Sequence, residues 1–166
     1  MTSTRRRPLF APIAAAVGAA FALALLGGLA TDIGPWYQGL RQPAWKPPDA
    51  WFGPAWTTIY ACAAAAGVLA WRAGPDRAAR ERLLVAFAAN AIVNVLWSLL
   101  FFRAQRPDWA LAEVVVLWAS ILVLVVMAGR RSRLGGALLL PYLGWVSFAS
   151  VLNAAVVRLN GPFGGV

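Results

Sequence analysis

Five stretches of about twenty apolar residues dominate this chain, and a run of that length crosses the ~30 Å hydrocarbon core of a bilayer as one helix. They run from about Leu9 to Ala30, Phe52 to Trp71, Leu83 to Phe102, Trp109 to Met127 and Leu134 to Leu159. Lipid offers no hydrogen-bond partner to the backbone, so a spanning segment has to satisfy its own N–H and C=O groups, which a helix does. The expected fold class is an all-α integral membrane protein, a bundle of five transmembrane helices. The connections after the second stretch are short, so sequential helices should be antiparallel neighbours in a single domain over 1–166. Composition agrees, with 61% of residues hydrophobic and 13% charged.

The polar residues restrict the chemistry. There is no histidine and one cysteine, Cys62, inside an apolar run. The commonest general base, the commonest metal ligand and any intramolecular disulfide are thereby excluded. A net charge of +9 raises nucleic acid as a partner. The basic residues, however, sit at the ends of apolar segments, so they are read as membrane anchors and no nucleic-acid partner is expected. Arg5, Arg6, Arg7, Arg72, Arg77, Arg80, Arg82, Arg130, Arg131 and Arg133 fall on the N-terminal side of the membrane, against Arg41, Lys46, Arg103, Arg106 and Arg158 on the other. In a bacterial cell membrane the positive-inside rule then puts the N-terminus in the cytoplasm. Arg5–Arg7 ahead of the first stretch imitate the start of a signal peptide, but that stretch exceeds the usual signal core, so a retained helix is expected.

The connection from Thr31 to Trp51 is the longest. Between Gly34 and Trp56 it carries five prolines, which favour a stiff, extended path over one continuous helix. Trp36, Tyr37, Trp45, Trp51 and Trp56 are too many for headgroup anchoring of one connection, whereas Trp71 and Trp109 suit that role. The connection is read as a lid over a ligand. Gly53 and Pro54 are expected at the N-cap and first position of the second helix, which places Trp56 and Tyr60 one turn apart on one face.

Asn90, Asn94, Trp97, Ser98 and Phe101 share one face of the third helix. Its amides serve either as hydrogen-bonding glue between helices or as the polar lining of a cavity. On the fifth, Pro141, Tyr142, Trp145, Ala149, Leu152 and Asn153 repeat the pattern, and Pro141 is expected to kink it. Glu113 is expected to snorkel or to pair with Arg103 or Arg106, and Asp108 to cap the fourth helix. Ala14 with Gly18 and Ala63 with Gly67 have the spacing of helix-association motifs, so a homodimer is expected.

Trp45-Lys46-Pro47-Pro48, Trp51-Phe52-Gly53-Pro54-Ala55-Trp56-Thr57 with Tyr60, Asn90/Asn94-Trp97-Ser98, Leu117-Trp118, Pro141-Tyr142-Leu143-Gly144-Trp145, Phe148-Ala149 and Leu152-Asn153 together resemble the TspO/MBR family. Its members include the tryptophan-rich sensory proteins and the translocator protein or peripheral benzodiazepine receptor of animals. The resemblance covers about Pro35 to Asn160. It implies a five-helix bundle, often dimeric, with a pocket under the first connection for protoporphyrin IX-like tetrapyrroles and, in some members, sterols or benzodiazepine-type drugs. Carried onto this chain, the ligand-binding residues are Tyr37, Trp45, Trp56, Asn94, Trp97, Trp118, Trp145, Phe148, Ala149 and Leu152. The sterol motif of animal members has a tyrosine that Val151–Arg158 lacks, which argues against cholesterol transport.

The function implied is tetrapyrrole sensing, sequestration or transport, with no obligatory cofactor, no metal and membrane lipid as the surrounding partner. Without histidine, haem iron would lack its usual axial ligand, which favours metal-free porphyrin. Two alternatives stand beside it. One is light- and oxygen-dependent porphyrin degradation with Trp56 and Trp145 as redox-active side chains; the other is a lipid- or sterol-binding membrane protein.

Overall fold

The computed structural model describes residues 10–163. Five of its helical stretches are long and apolar enough to span a membrane: Phe10–Ala30, Asp49–Arg72, Arg77–Arg103, Pro107–Gly129 and Arg133–Asn160. In the numbering used below, α1 is Phe10–Ala30, α2 Pro35–Gly39, α3 Phe52–Arg72, α4 Arg77–Ser98, α5 Pro107–Gly129, α6 Arg133–Ala137 and α7 Leu140–Asn160. The sequence stretches fall within these helices apart from Leu9, which lies outside the described residues. The helices also run on into polar sequence, as α4 does by starting at Arg77.

Local chemistry sets these ends. The Asp76 carboxylate accepts from the Ala79 N–H at 2.6 Å and caps α4, and the Ser132 hydroxyl accepts from the Gly135 N–H and caps α6. The C-terminus of α3 is closed by the Arg80 guanidinium, which donates to the carbonyls of Trp71 and Gly74. A 3-10 turn, Asp49–Trp51, leads directly into α3, so the helix begins at Phe52 with Gly53 and Pro54 inside its first turn. Asp108 likewise lies in the first turn of α5 behind Pro107, paired with Arg106 at the N-cap.

Pro141 does not kink the fifth span. That span is two helices, α6 and α7, separated at Leu138–Leu139, and Pro141 lies in the first turn of α7, where its missing N–H costs nothing. Glycine permits the tight return from α5 to α6. A Cβ on Gly136 would lie 2.7 Å from the Gly129 Cα and 3.1 Å from the Val125 carbonyl oxygen, both backbone atoms.

The five spans contact one another in the cyclic order α1, α3, α7, α5, α4 and back to α1. Toward the Thr31–Trp51 connection, the loop end, the core holds Ile59, Val114, Leu117, Ile121, Tyr142 and Val146. Toward the opposite, arginine-bearing end it holds Ala66, Ala70, Leu83, Leu124, Ala128 and Leu139. Phe21, Val85, Ile92, Val115 and Val151 are all at least 60% exposed. An apolar belt on four of the five spans is untenable in water and is the surface expected against lipid. α1 buries only Ala30, although the π-helical turn Leu99–Arg103 secures its end through Arg103, which donates to the Leu29 carbonyl at 2.6 Å.

Candidate functional site

Beneath the loop end, aromatic side chains from the connection, α3 and α7 meet edge to face or tilted, geometries that ring quadrupoles favour over a face-to-face sandwich. The Trp45 ring contacts Phe148 at 5.9 Å between centroids, Phe148 contacts Trp145 at 5.7 Å, and Trp145 contacts Phe52 at 5.5 Å. Trp145, Phe148, Ala149 and Leu152 follow one another along a half-buried face of α7. Deeper in the bundle, Trp56 stacks on Tyr60 at 5.3 Å and meets Tyr142 at 6.0 Å.

Asn94 ties this cluster to α4. It is 4% exposed; its Nδ2 donates to the Tyr142 hydroxyl at 3.0 Å, and its Oδ1 accepts from the Tyr60 hydroxyl at 3.3 Å. One amide therefore links three helices. Asn90 donates to Ser120 Oγ at 2.8 Å and fastens α4 to α5, and Asn153 donates to the Pro107 carbonyl at 2.8 Å and fastens α7 to the start of α5. All three make interhelical hydrogen bonds, and Asn90 also lines a cavity.

The connection is braced internally by polar contacts. The Tyr37 hydroxyl donates to Asp49 Oδ1 at 3.0 Å, Lys46 pairs with the same oxygen, and the Lys46 ammonium lies 5.4 Å from the centre of the Tyr37 ring. Burial pushes the Tyr37 hydroxyl above its ordinary pKa, the Lys46 ammonium partly offsetting this. Burial alone would lower Lys46, but its bonds to Asp49 and Tyr37 outweigh that and raise it. A second clasp joins the connection to the end of α7: Asn160 accepts from the Arg41 N–H at 2.7 Å and donates to the Arg41 carbonyl at 2.9 Å.

The sequence reading had not singled out Lys46, Asp49 or Asn160 as functional. An opposite-charge pair three residues apart was a usable signal for Lys46 and Asp49; nothing local pointed to Asn160. Of the residues it did select, Tyr37, Trp45, Trp56, Asn94, Trp145 and Phe148 take part in the loop-end contacts. Trp97 lies in the neighbouring Trp36–Phe101–Phe102 group, stacked on Phe101 at 5.2 Å, with its indole N–H buried and unpartnered. Trp118 is 36% exposed and donates to Ser147 Oγ at 2.8 Å, across the outer seam between α5 and α7.

Taken together, the features are a ring of five spans, an aromatic cluster drawn from two spans and a clasped connection, and an asparagine at their junction. Residues 15–159 match the TspO/MBR family as a whole. The chain belongs to the TspO/MBR family. Its relatives include the tryptophan-rich protein TspO of Archaeoglobus fulgidus, 35% identical over 150 residues that cover 89% of this chain and 96% of that protein. Protein CrtK of Rhodobacter capsulatus is 32% identical over 127 residues, covering 76% and 79%. The human translocator protein is 31% identical over 131 residues, covering 78% of each.

Two further features of this TspO/MBR chain bear on the site. Glu113 pairs with neither arginine: Arg103 is engaged with Asp32 and the Leu29 carbonyl and Arg106 with Asp108, and both Glu113 carboxylate oxygens are buried without a partner. Below the aromatic cluster, a cavity of ≈ 660 Å³ opens between α1, α3 and α4. Tyr60 and Tyr142 belong to both the cluster and the cavity wall.

Proposed function

We propose that this protein binds a protoporphyrin IX-like tetrapyrrole beneath the clasped connection and acts in tetrapyrrole sensing, sequestration or transport. The observation that carries the reading is the convergence of Trp45, from the connection, on Phe148, Trp145 and Phe52, with Trp56 on Tyr60 deeper in the bundle. Flat aromatic faces bordered by the hydrogen-bonding ends of Trp and Tyr suit a planar heterocycle with polar edges. These faces pack against one another. Ligand entry therefore requires the Tyr37–Asp49–Lys46 contact to open and the indoles to part.

Protoporphyrin IX titrated against the purified protein should quench tryptophan fluorescence saturably. Replacing two ring contacts worth roughly 1 kcal/mol each should weaken binding by about thirtyfold in the Trp56→Phe/Trp145→Phe double variant. Unchanged affinity in that variant would remove the site.

A second reading, degradation of the porphyrin by light and oxygen, is favoured by one observation: the Trp56–Tyr60 stack places two oxidisable rings in contact beside the proposed macrocycle. Loss of the porphyrin Soret band in illuminated complex, faster than in free porphyrin and slowed by Trp56→Phe, is the outcome that would support it. Equal rates count against it.

A further inference from the structure

The cavity between α1, α3 and α4 is a site of a different kind from the aromatic cluster above it. Its wall is almost wholly apolar and built from small side chains: Ala11, Ala15 and Ala19 on α1, Ala64 and Gly67 on α3, and Ala88 on α4. Helices with such faces normally close on one another. Here α1 packs on α3 but α4 stands off from both along this face, and the resulting ≈ 660 Å³ is within the ~300–1,000 Å³ range of ligand pockets.

Three observations identify the occupant. First, Ala11, Ala15, Ala19, Leu84 and Ala88 are exposed, so the cavity is open along its α1–α4 side, where the neighbouring medium is lipid. Second, its lining on α1 extends from Ala11 to Leu23, about 18 Å at 1.5 Å per residue, close to the ~15 Å depth of one leaflet's hydrocarbon. Third, its outer end is the arginine end. Trp71 lines the wall there, and the Arg80 guanidinium is fixed over the Trp71 ring at 5.9 Å by the carbonyls of Trp71 and Gly74. Arg80 has no carboxylate partner among the described residues.

We propose that this cavity holds one acyl chain of an anionic phospholipid from the leaflet at the arginine end, with its phosphate beside Arg80 and its chain reaching toward Tyr60 and Tyr142. The chain fills space that no side chain fills, and the fixed guanidinium selects the headgroup. The inner end is closed by the Asn94-linked tyrosines, whose hydroxyls are already engaged with that amide, so it offers a hydrocarbon tail no competing polar demand. The site does not depend on porphyrin binding.

The test uses the whole protein in nanodiscs doped with phosphatidylglycerol that carries a diazirine near the end of one acyl chain. After irradiation, adducts should map to the inner end of the cavity, around Leu23 on α1 and from Tyr60 to Ala64 on α3. Ala64→Phe or Ala88→Phe, each of which fills the cavity from a different helix, should cut those adducts severalfold at unchanged helix content by circular dichroism, which shows that the bundle is intact. The phosphatidylcholine analogue should label roughly fivefold less, the selectivity of one arginine at a membrane surface, and Arg80→Gln should abolish the difference. Labelling confined to outward residues such as Phe21 and Val85, or undiminished by both filling variants, would overturn the site. Equal labelling by the two headgroups in the unmodified protein would overturn the assignment to an anionic lipid.

Discussion

Asn94 is the residue on which the loop-end architecture should depend most, and a double-mutant cycle measures this. Tyr142→Phe removes the hydroxyl that accepts from Asn94 Nδ2 and leaves a buried amide N–H without that partner, Asn94 being 4% exposed. An orphaned buried donor costs about 1–3 kcal/mol in water-soluble proteins, while single interhelical pairs in membranes average about 0.6 and reach about 1.7 kcal/mol. The single variant should therefore lose about 1–2 kcal/mol. Asn94→Leu removes the amide from both tyrosines and should cost at least as much. In the double variant the orphan is gone, so the two losses should not add. The expected coupling is about 0.6–1.7 kcal/mol. The assay is reversible unfolding in mixed micelles with increasing dodecyl sulfate, followed by circular dichroism for the four proteins of the cycle. Additivity within about 0.3 kcal/mol would show that the amide does not couple the helices and would refute the reasoning.

Gly136→Ala should destabilise the protein by about 1–3 kcal/mol in the same assay, because its Cβ meets backbone at Gly129 and Val125, which cannot rotate away. Asp49→Asn should loosen the connection and speed porphyrin release, seen as a larger dissociation rate at unchanged helix content, since it removes the charge that holds Lys46 and weakens the acceptor for Tyr37. The clasp should also fail in alkali. Both Tyr37 and Lys46 titrate higher in the folded protein than at their ordinary values of 10.0 and 10.5, so their contribution is complete below those values and is lost as pH rises through the folded ones. Limited proteolysis of the connection should accelerate there, and Asp49→Asn should flatten that response. Trp118→Phe should leave protoporphyrin affinity within about twofold, because the indole lies at the outer α5–α7 seam, while losing a bond of about 1 kcal/mol to Ser147.

The five spans were legible because apolar length alone decides what a bilayer accepts, and the aromatic residues were legible as a group because they recur at helical spacing on α3, α4 and α7. Helix starts were less so. Gly53-Pro54 and Asp108 have the chemistry of helix starts, yet the 3-10 turn at Asp49–Trp51 and Pro107 moved both starts upstream. Pro141 misled for the same reason: a proline that begins a helix and one that kinks a helix read alike until the break at Leu138–Leu139 is seen. The asparagines could not be divided between glue and lining by pattern, since hydrogen-bond partners lie on other helices and their identity is a fact of tertiary register. The small residues pose the hardest case. Ala63 and Gly67 have the spacing of a helix-association motif, but both line the cavity, and Gly67 leaves room for the Phe87 ring of α4, which an added Cβ would touch at 3.6 Å. A stripe of alanine and glycine permits close approach without compelling it. Whether it produces contact or a chamber depends on the neighbouring helix: α1 packs on α3, whereas the space toward α4 stays open, with Tyr60 and Tyr142 at one end and Trp71 at the other.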